Sequence, residues 1–294
     1  MISTELLNIA ESDLEASRVL YENKLYPQAI FYFQQSVEKA NKSLALVTKH
    51  VTEKELSGNI RHEAIKIHEK AVKRQKAKYE QFNEHLKLIP ELGEIEFLEN
   101  FNNKREIRQF DFSLSYIDEI RHYKNKLIHM SSWDIRRFLK EMEKGKNDVK
   151  KEMQKLSNFR MNDKKLKKMN QNFIELYNVS IKYNPLYAEE LKNDFDKLDS
   201  KNIEKYIEKY IKNYFGLTYL GMSLSISLYC LAIITLPHVS ITRYPENNMT
   251  PLKIYTPKLP IVKKLPELID VHNNALNEFK ILNKKIREIN APIH

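Results

Sequence analysis

Apolar positions in the first fifty residues recur at helical spacing and predict a hairpin of two helices. The first helix, at about residues 4–24, carries small and apolar residues on one face at Leu6, Ala10, Leu14 and Ser17. The second begins near Pro27, which suits a first helical turn. Its core stripe is the clearest in the chain and runs through Ile30, Phe33, Val37, Ala40, Leu44 and Val47. A short loop around residues 24–27 would make the two helices antiparallel.

The other face of the second helix is polar, as expected of an amphipathic helix. It carries Gln34, Gln35, Glu38, Lys39 and Lys42. Glu38 and Lys42 are four residues apart with the acid first, which is the favourable order for an ion pair along a helix.

Helical patterns fill most of the remaining chain. They predict helices at about residues 61–86, at 113–129, from near Asp134, and at 265–289. Breakers at Pro90 and Gly93 end the first of these helices. The basic stretch that runs to residue 168 indicates a boundary, and we therefore predict two domains, residues 1–158 and 165–294.

A long helix is predicted in the second half of the chain. Asp199 and Ser200 offer an N-cap, and a core face follows at Ile203, Ile207, Tyr210, Ile211 and Tyr214. The pattern continues through residues 215–236, which hold no charged side chain. This segment is long enough to span a membrane, but its serine and threonine content and the preceding stripe favour a core helix. Both interpretations stay open.

Proline is concentrated in one region after this helix. Six of the ten prolines lie between Pro237 and Pro266, which predicts extended rather than helical backbone.

Composition excludes several functional classes. The chain has five glycines in 294 residues, against roughly 20 expected from average usage, and neither a GxGxxG nor a GxxxxGK[ST] motif can be written from them. The single cysteine, Cys230, allows no disulfide framework and no thiolate zinc site. We predict no metal and no cofactor. An acidic, amphipathic N-terminus is unlike a signal peptide, so we expect a cytoplasmic protein.

The net charge of +10 favours an acidic partner such as RNA. Residues 140–168 hold eleven Lys or Arg and five Asp or Glu. This basic strip is explained by a solvated helix and linker, by a surface that faces nucleic acid, or by attraction to an anionic membrane.

Candidate chemistry is confined to the segment SYIDEIRHYKNKLIHMSSW, residues 115–133. On one continuous helix Arg121, Asn125 and His129 would stack at i, i+4 and i+8, and Lys124 would lie within the apolar side. A cation, an amide and an imidazole at this edge could hold a phosphate and move a proton. The alternative is an ordinary helix end with a histidine that suits the helix dipole.

The residues 13–44, DLEASRVLYENKLYPQAIFYFQQSVEKANKSL, resemble the first two helices of HEPN domains, which occur in prokaryotic defence and toxin proteins. The segment KNKLIH, ending at His129, resembles the R-x(4–6)-H motif of that family, including the asparagine that follows its first residue. TRYPENN, residues 242–248, resembles a segment that some members carry after the third helix.

The resemblance implies an all-α, up-and-down helical bundle, commonly a homodimer. Active members are metal-independent endoribonucleases of toxin–antitoxin and defence systems, in which Arg and His of two protomers act on the scissile phosphate. Other members are catalytically silent and bind RNA, nucleotides or a minimal nucleotidyltransferase partner.

This chain departs from the motif, because Lys124 stands where the family has arginine. We therefore expect a site built from Arg121, Lys124, Asn125 and His129, in which Arg121 has taken over the phosphate contact or the site is degenerate. An RNase, a silent binding module and a membrane-attached helical protein are the three functions to separate.

Overall fold

A computed structural model describes residues 2–60, 62–88, 104–158, 160–196, 203–243 and 250–290. Within these ranges the regular structure is helical and includes no strand, which confirms the predicted all-α fold. The α-helices are α1 (Ile2–Glu22), α2 (Tyr26–Val47), α3 (Glu53–Glu55), α4 (Ile65–Leu88), α5 (Lys104–His122), α6 (Ser132–Ser157), α7 (Asp163–Tyr183), α8 (Pro185–Asp196), α9 (Ile203–Thr235), α10 (His238–Ile241), α11 (Pro251–Ile254) and α12 (Pro260–Asn290). The predicted breakers Pro90 and Gly93, the N-cap at 199–200 and residues 244–248 of the TRYPENN segment lie outside the described residues.

The predicted hairpin of α1 and α2 is confirmed, and serine side chains fasten its two helices together. Ser17 donates to the carbonyl of Ala29 at 2.8 Å, and Ser43 donates to the carbonyl of Ser3 at 2.6 Å. The first contact joins the end of α1 to the start of α2, and the second joins the start of α1 to the end of α2. The two helices are therefore antiparallel. Small residues such as the fully buried Ala10 allow the backbones to approach this closely.

The hairpin turn is closed by a residue in the left-handed conformation. Lys24 has a φ of 62°, and the amide of Leu25 donates to the carbonyl of Leu20 at 2.9 Å. This pattern satisfies the last carbonyls of α1 and reverses the chain before α2, as a Schellman motif does.

Two compact units divide the described chain differently from the predicted boundary at residues 158–165. The first unit combines residues 1–74, 113–152 and 217–294, and the second combines residues 75–112 and 153–216. Because α4, α5, α6 and α9 are long, each of them contributes residues to both units.

The apolar core of the first unit is built around α2. Ile30, Phe33 and Val37 of the predicted stripe are fully buried. Each such side chain stabilises the fold by about 1.5–3 kcal/mol relative to an exposed position. α12 packs on this stripe, and the imidazole of its His272 lies 2.8 Å from the hydroxyl of Ser36, from Nε2 to Oγ.

α9 is one continuous helix, as its pattern predicts. Its residues 211–235 are long and apolar enough to cross a membrane by length and composition, and less than half of their most apolar stretch is buried within the fold. The buried part is the second half, where Leu228 and Leu231 are fully enclosed and the carbonyl of Leu228 accepts from Asn41 at 3.3 Å. This half of α9 is therefore a core helix of the first unit.

The proline-rich stretch contains helices where the sequence predicts extended chain, so that prediction was wrong for residues 238–241, 251–254 and 260–266. α10 and α11 are short helices within it, and α12 begins at Pro260, a favoured first helical position. Pro266 lies inside α12. Burial of Leu265, Leu268 and Ile269 offsets the cost of roughly 3 kcal/mol that an interior proline imposes.

In the second unit, α7 and α8 pack together across a short turn at Asn184. Asn162 caps α7 by accepting from the amide of Lys165 at 3.0 Å. Asp111 of α5 pairs with Lys76 of α4 at 2.6 Å, and the rings of Phe110 and Tyr79 meet nearby.

Candidate functional site

The segment that resembles the family motif is not part of one helix. α5 ends at His122, a turn follows, and Lys126–His129 form a single 3₁₀ turn before α6. The predicted helix to residue 129 was therefore wrong in its last two turns. The tighter turn brings Leu127 and Ile128 against the core, and Met130 is buried directly after them.

Because the helix ends early, the predicted stack of Arg121, Asn125 and His129 does not form. Lys124 also does not lie within an apolar face, since its side chain is exposed. Asn125 and His129 are exposed as well. Lys124 lies in the turn before the 3₁₀ segment, and His129 is the last residue of that segment.

Arg121 is held by carboxylates of the same unit. Its Nη1 lies 3.1 Å from Oε2 of Glu69, and its Nε lies 3.8 Å from Oε2 of Glu63. Asp118, one turn earlier on α5, is a third partner at 3.8 Å. The guanidinium therefore links the end of α5 to the start of α4 and is neutralised there.

A cavity of about 500 Å³ opens beside the turn between α5 and the 3₁₀ segment. Lys124 and Asn125 form part of its wall, whereas His129 is not among the lining residues. His62 and Lys66, from the region where α4 begins, also line the cavity. Further lining comes from Ile60, Glu63, Leu236, Pro237, Val239 and Ser240.

The basic wall of this cavity is anchored to a buried carboxylate of α2. Nδ1 of His62 lies 3.3 Å from Oε1 of Glu38, whose side chain is almost fully buried. Lys42 pairs with the same carboxylate at 2.6 Å, which confirms the predicted i,i+4 contact. Gln34 donates to it at 3.1 Å. The polar face of α2 is therefore internal at Gln34 and Glu38, and a buried charge there is matched by partners.

The start of α6 follows the motif segment directly and is capped in both directions. The amide and hydroxyl of Ser131 donate to Oδ2 of Asp134 at 2.8 and 2.7 Å, and the amide of Asp134 donates to the hydroxyl of Ser131 at 3.2 Å. These bonds lower the pKa of Asp134 below its usual value. The cap fixes the direction of the α6 axis relative to the segment that ends at His129.

Two exposed aromatic rings lie close to His129 in the chain, and each has a cation at its face. Nζ of Lys126 is 4.5 Å from the ring centroid of Tyr123. Cζ of Arg137 is 5.6 Å from the ring centroid of Trp133. The sequence analysis did not identify these aromatic residues as functional. A tryptophan close to several basic residues is nevertheless a signal of a binding surface that the sequence contains.

The basic strip at residues 140–168 lies on α6 and on the beginning of α7. Within the first unit one of its lysines is internal to the fold, because Nζ of Lys146 pairs with Oε1 of Glu278 on α12 at 2.7 Å. Lys140, Lys144 and Lys150 are exposed. In the described parts of the chain, no group of three or more His, Cys, Asp or Glu side chains could hold a metal ion.

Comparison with known families confirms the resemblance to HEPN domains. The model of the HEPN domain matches residues 3–144, from the start of α1 into α6. No curated protein and no solved structure matches the chain significantly. The matched region includes the α1–α2 hairpin, Lys124 and His129. Residues 3–144 of this chain are therefore a HEPN domain.

Proposed function

We propose that this protein acts on RNA as a metal-independent endoribonuclease, through Lys124, Asn125 and His129. The observation that carries the proposal is the exposure of all three side chains on one short segment, which resembles the family motif and lies within the HEPN domain. A HEPN domain makes an RNase or nucleotide-related role the natural class of function for such a segment.

Lys124 is the proposed phosphate cation. Its ammonium is exposed at the cavity, whereas the guanidinium of Arg121 is engaged with Glu69 and Glu63. A lysine binds a phosphate as a point charge and lacks the two-pronged grip of arginine. Lys124 would therefore neutralise the phosphate with less geometric control than the family arginine provides.

His129 is the proposed proton-transfer group, because an imidazole can accept a proton at one ring nitrogen and donate one from the other. In the reaction, the 2′-oxygen of a ribose forms a bond to phosphorus and gives up its proton. The bond from phosphorus to the 5′-oxygen breaks, and that oxygen takes a proton. The products are a 2′,3′-cyclic phosphate and a 5′-hydroxyl, so no metal or redox partner is consumed.

Two protomers would complete the site. The HEPN resemblance supports this, because active members of the family act on the scissile phosphate with residues of two protomers. A homodimer would bring Lys124 of one protomer near His129 of its partner. We place this activity in the cytoplasm, in a toxin–antitoxin or other defence system.

A silent binding module is the second candidate, and the lysine at the arginine position favours it. In that case the basic, exposed segment would bind RNA, nucleotide or a minimal nucleotidyltransferase partner without cleavage. Steep salt dependence of RNA binding together with absence of cleavage would identify this function.

The test is cleavage of end-labelled RNA by the purified protein in EDTA, with analysis of the product ends. We expect cyclic phosphate termini from the wild type, and we expect His129→Ala to lose about 100-fold or more in rate. His50→Gln is a matched control, because this histidine lies at the end of α2 and bonds to Thr48. Equal rates for His129→Ala and wild type would refute the assignment of His129.

A further inference from the structure

We propose that Trp133 is a base-stacking residue of the RNA-binding segment, so that an unpaired base of the RNA lies on its exposed ring. This inference rests on the proposed function, because it names the form of RNA that the segment around His129 would bind.

The first observation is the exposure of the chain's one tryptophan. Trp133 is 65% exposed although it lies in the first turn of a regular helix. A tryptophan usually buries most of its ring, because the ring contributes a large apolar area. The capping bonds between Ser131 and Asp134 hold the backbone on both sides of Trp133, so its position at the surface is fixed by α6.

The second observation is a similar ring on the other side of His129. Tyr123 is 42% exposed, ten residues before Trp133, in the turn after α5. Each ring has a cation from its own segment at one face, Lys126 for Tyr123 and Arg137 for Trp133. The ring of Tyr123 also meets the ring of His122, with centroids 4.8 Å apart, so the stacking inference rests on Trp133.

The charge of the segment fits a polyanion. Residues 122–140 carry five Lys or Arg side chains, all exposed. The segment has one carboxylate, that of Asp134, which is bonded to Ser131. Aromatic rings interleaved with exposed cations are the combination by which proteins hold single strands, with bases on the rings and phosphates on the cations.

The preference for single strands follows from the geometry of stacking. In an RNA duplex the base faces are covered by neighbouring base pairs, so a protein ring cannot reach them. In a loop or single strand the bases can turn outward and lie on a ring. A second copy of this chain could cover Trp133 instead, and the experiment must separate that outcome.

The experiment measures binding of a short 2′-O-methyl RNA, which lacks the hydroxyl nucleophile, as a single strand and as a duplex. Fluorescence anisotropy gives the affinity, and emission of Trp133, the one tryptophan, reports stacking directly. We expect the single strand to bind more tightly and to quench Trp133. Trp133→Ala should weaken single-strand binding about tenfold or more, and Trp133→Phe should restore most of the loss. Tyr187→Ala, an exposed aromatic residue of α8, is the matched control and should change neither affinity.

Single-strand binding with unquenched Trp133 and an unchanged affinity in Trp133→Ala would overturn the stacking inference and leave the proposed function standing. Failure of both RNA forms to bind would overturn the proposed function and this inference together. A Trp133→Ala variant that changes a dimer into a monomer without altering RNA affinity would assign the ring to the contact between copies.

Discussion

Arg121 donates from Nη1 to Oε2 of Glu69 at 3.1 Å, and this bond joins the end of α5 to the first turns of α4. The two residues are 52 positions apart in the sequence. The contact gives the arginine nearest to the motif a structural partner and leaves Lys124 as the exposed cation at the cavity.

Replacement of Arg121 by alanine should reduce stability. We expect Arg121→Ala to lower the free energy of unfolding by about 1 kcal/mol, because a charged hydrogen bond to Glu69 is lost while Lys73 still pairs with that carboxylate. Urea denaturation measures the change. Arg108→Ala, an exposed arginine on the same helix, is the control and should be close to neutral. Equal stability of the two variants would contradict the role given to Arg121.

The turn between α1 and α2 should accept glycine with a gain in stability. Lys24 has a φ of 62°, a conformation that strains any residue with a Cβ and costs a glycine little. Lys24→Gly should therefore raise the free energy of unfolding by about 1 kcal/mol. Lys24→Ala, which keeps the Cβ and removes the charge, should leave the denaturation midpoint nearly unchanged. A destabilised Lys24→Gly would argue against this turn.

Acid should destabilise the core of the first unit. His238 and His272 are buried, and burial lowers the pKa of each to about 3. In the unfolded chain a histidine takes up its proton near pH 6.5. Below that pH the unfolded state binds more protons, so this stability is complete above pH 6.5 and is lost as the pH falls toward 3. Between pH 7 and pH 5, each of these two histidines should therefore lower the free energy of unfolding by about 2 kcal/mol.

The variant His272→Gln isolates this effect. Between pH 7 and pH 5 the free energy of unfolding should fall in both proteins. The decrease should be about 2 kcal/mol smaller in the variant, because one titrating group is gone. His122→Gln, which replaces an exposed histidine, serves as the control. We expect the pH dependence of its unfolding free energy to match that of the wild type. An unchanged pH dependence in His272→Gln would contradict a neutral, buried His272.

A guanidinium at position 124 should improve the site. Arg can contact two phosphate oxygens at once, so Lys124→Arg should raise the rate of RNA cleavage about tenfold, equivalent to about 1.4 kcal/mol. If the wild type binds RNA without cutting it, this substitution should create measurable cleavage. A slower Lys124→Arg variant would show that position 124 does not hold the phosphate.

Much of the fold could be predicted from the sequence, because the local hydrophobic pattern agrees with the tertiary packing. The stripe through Ile30, Phe33 and Val37 predicts α2, and the structure buries all three residues. The continuity of α9 is readable for the same reason. The helix around Pro266 could not be predicted from the local sequence. The burial of neighbouring residues on α12 outweighs the tendency of proline to interrupt a helix.

The site was less readable than the fold. No glycine or proline marks the end of α5 at His122, so the stack of Arg121, Asn125 and His129 was expected on one helix. The contact with Glu69 depends on tertiary packing and has no local signal. The position of His129 and its asparagine was recognisable through the family motif, because that spacing is a property of a short segment.

Cleavage of end-labelled RNA in EDTA by Lys124→Ala and Arg121→Ala, with rates corrected for the folded fraction, tests the central claim most directly. Lys124 as the phosphate cation predicts a loss of about 100-fold or more in Lys124→Ala. Arg121→Ala should retain a rate close to that of the wild type, because its guanidinium serves the fold. A large loss in Arg121→Ala with little change in Lys124→Ala would contradict this account.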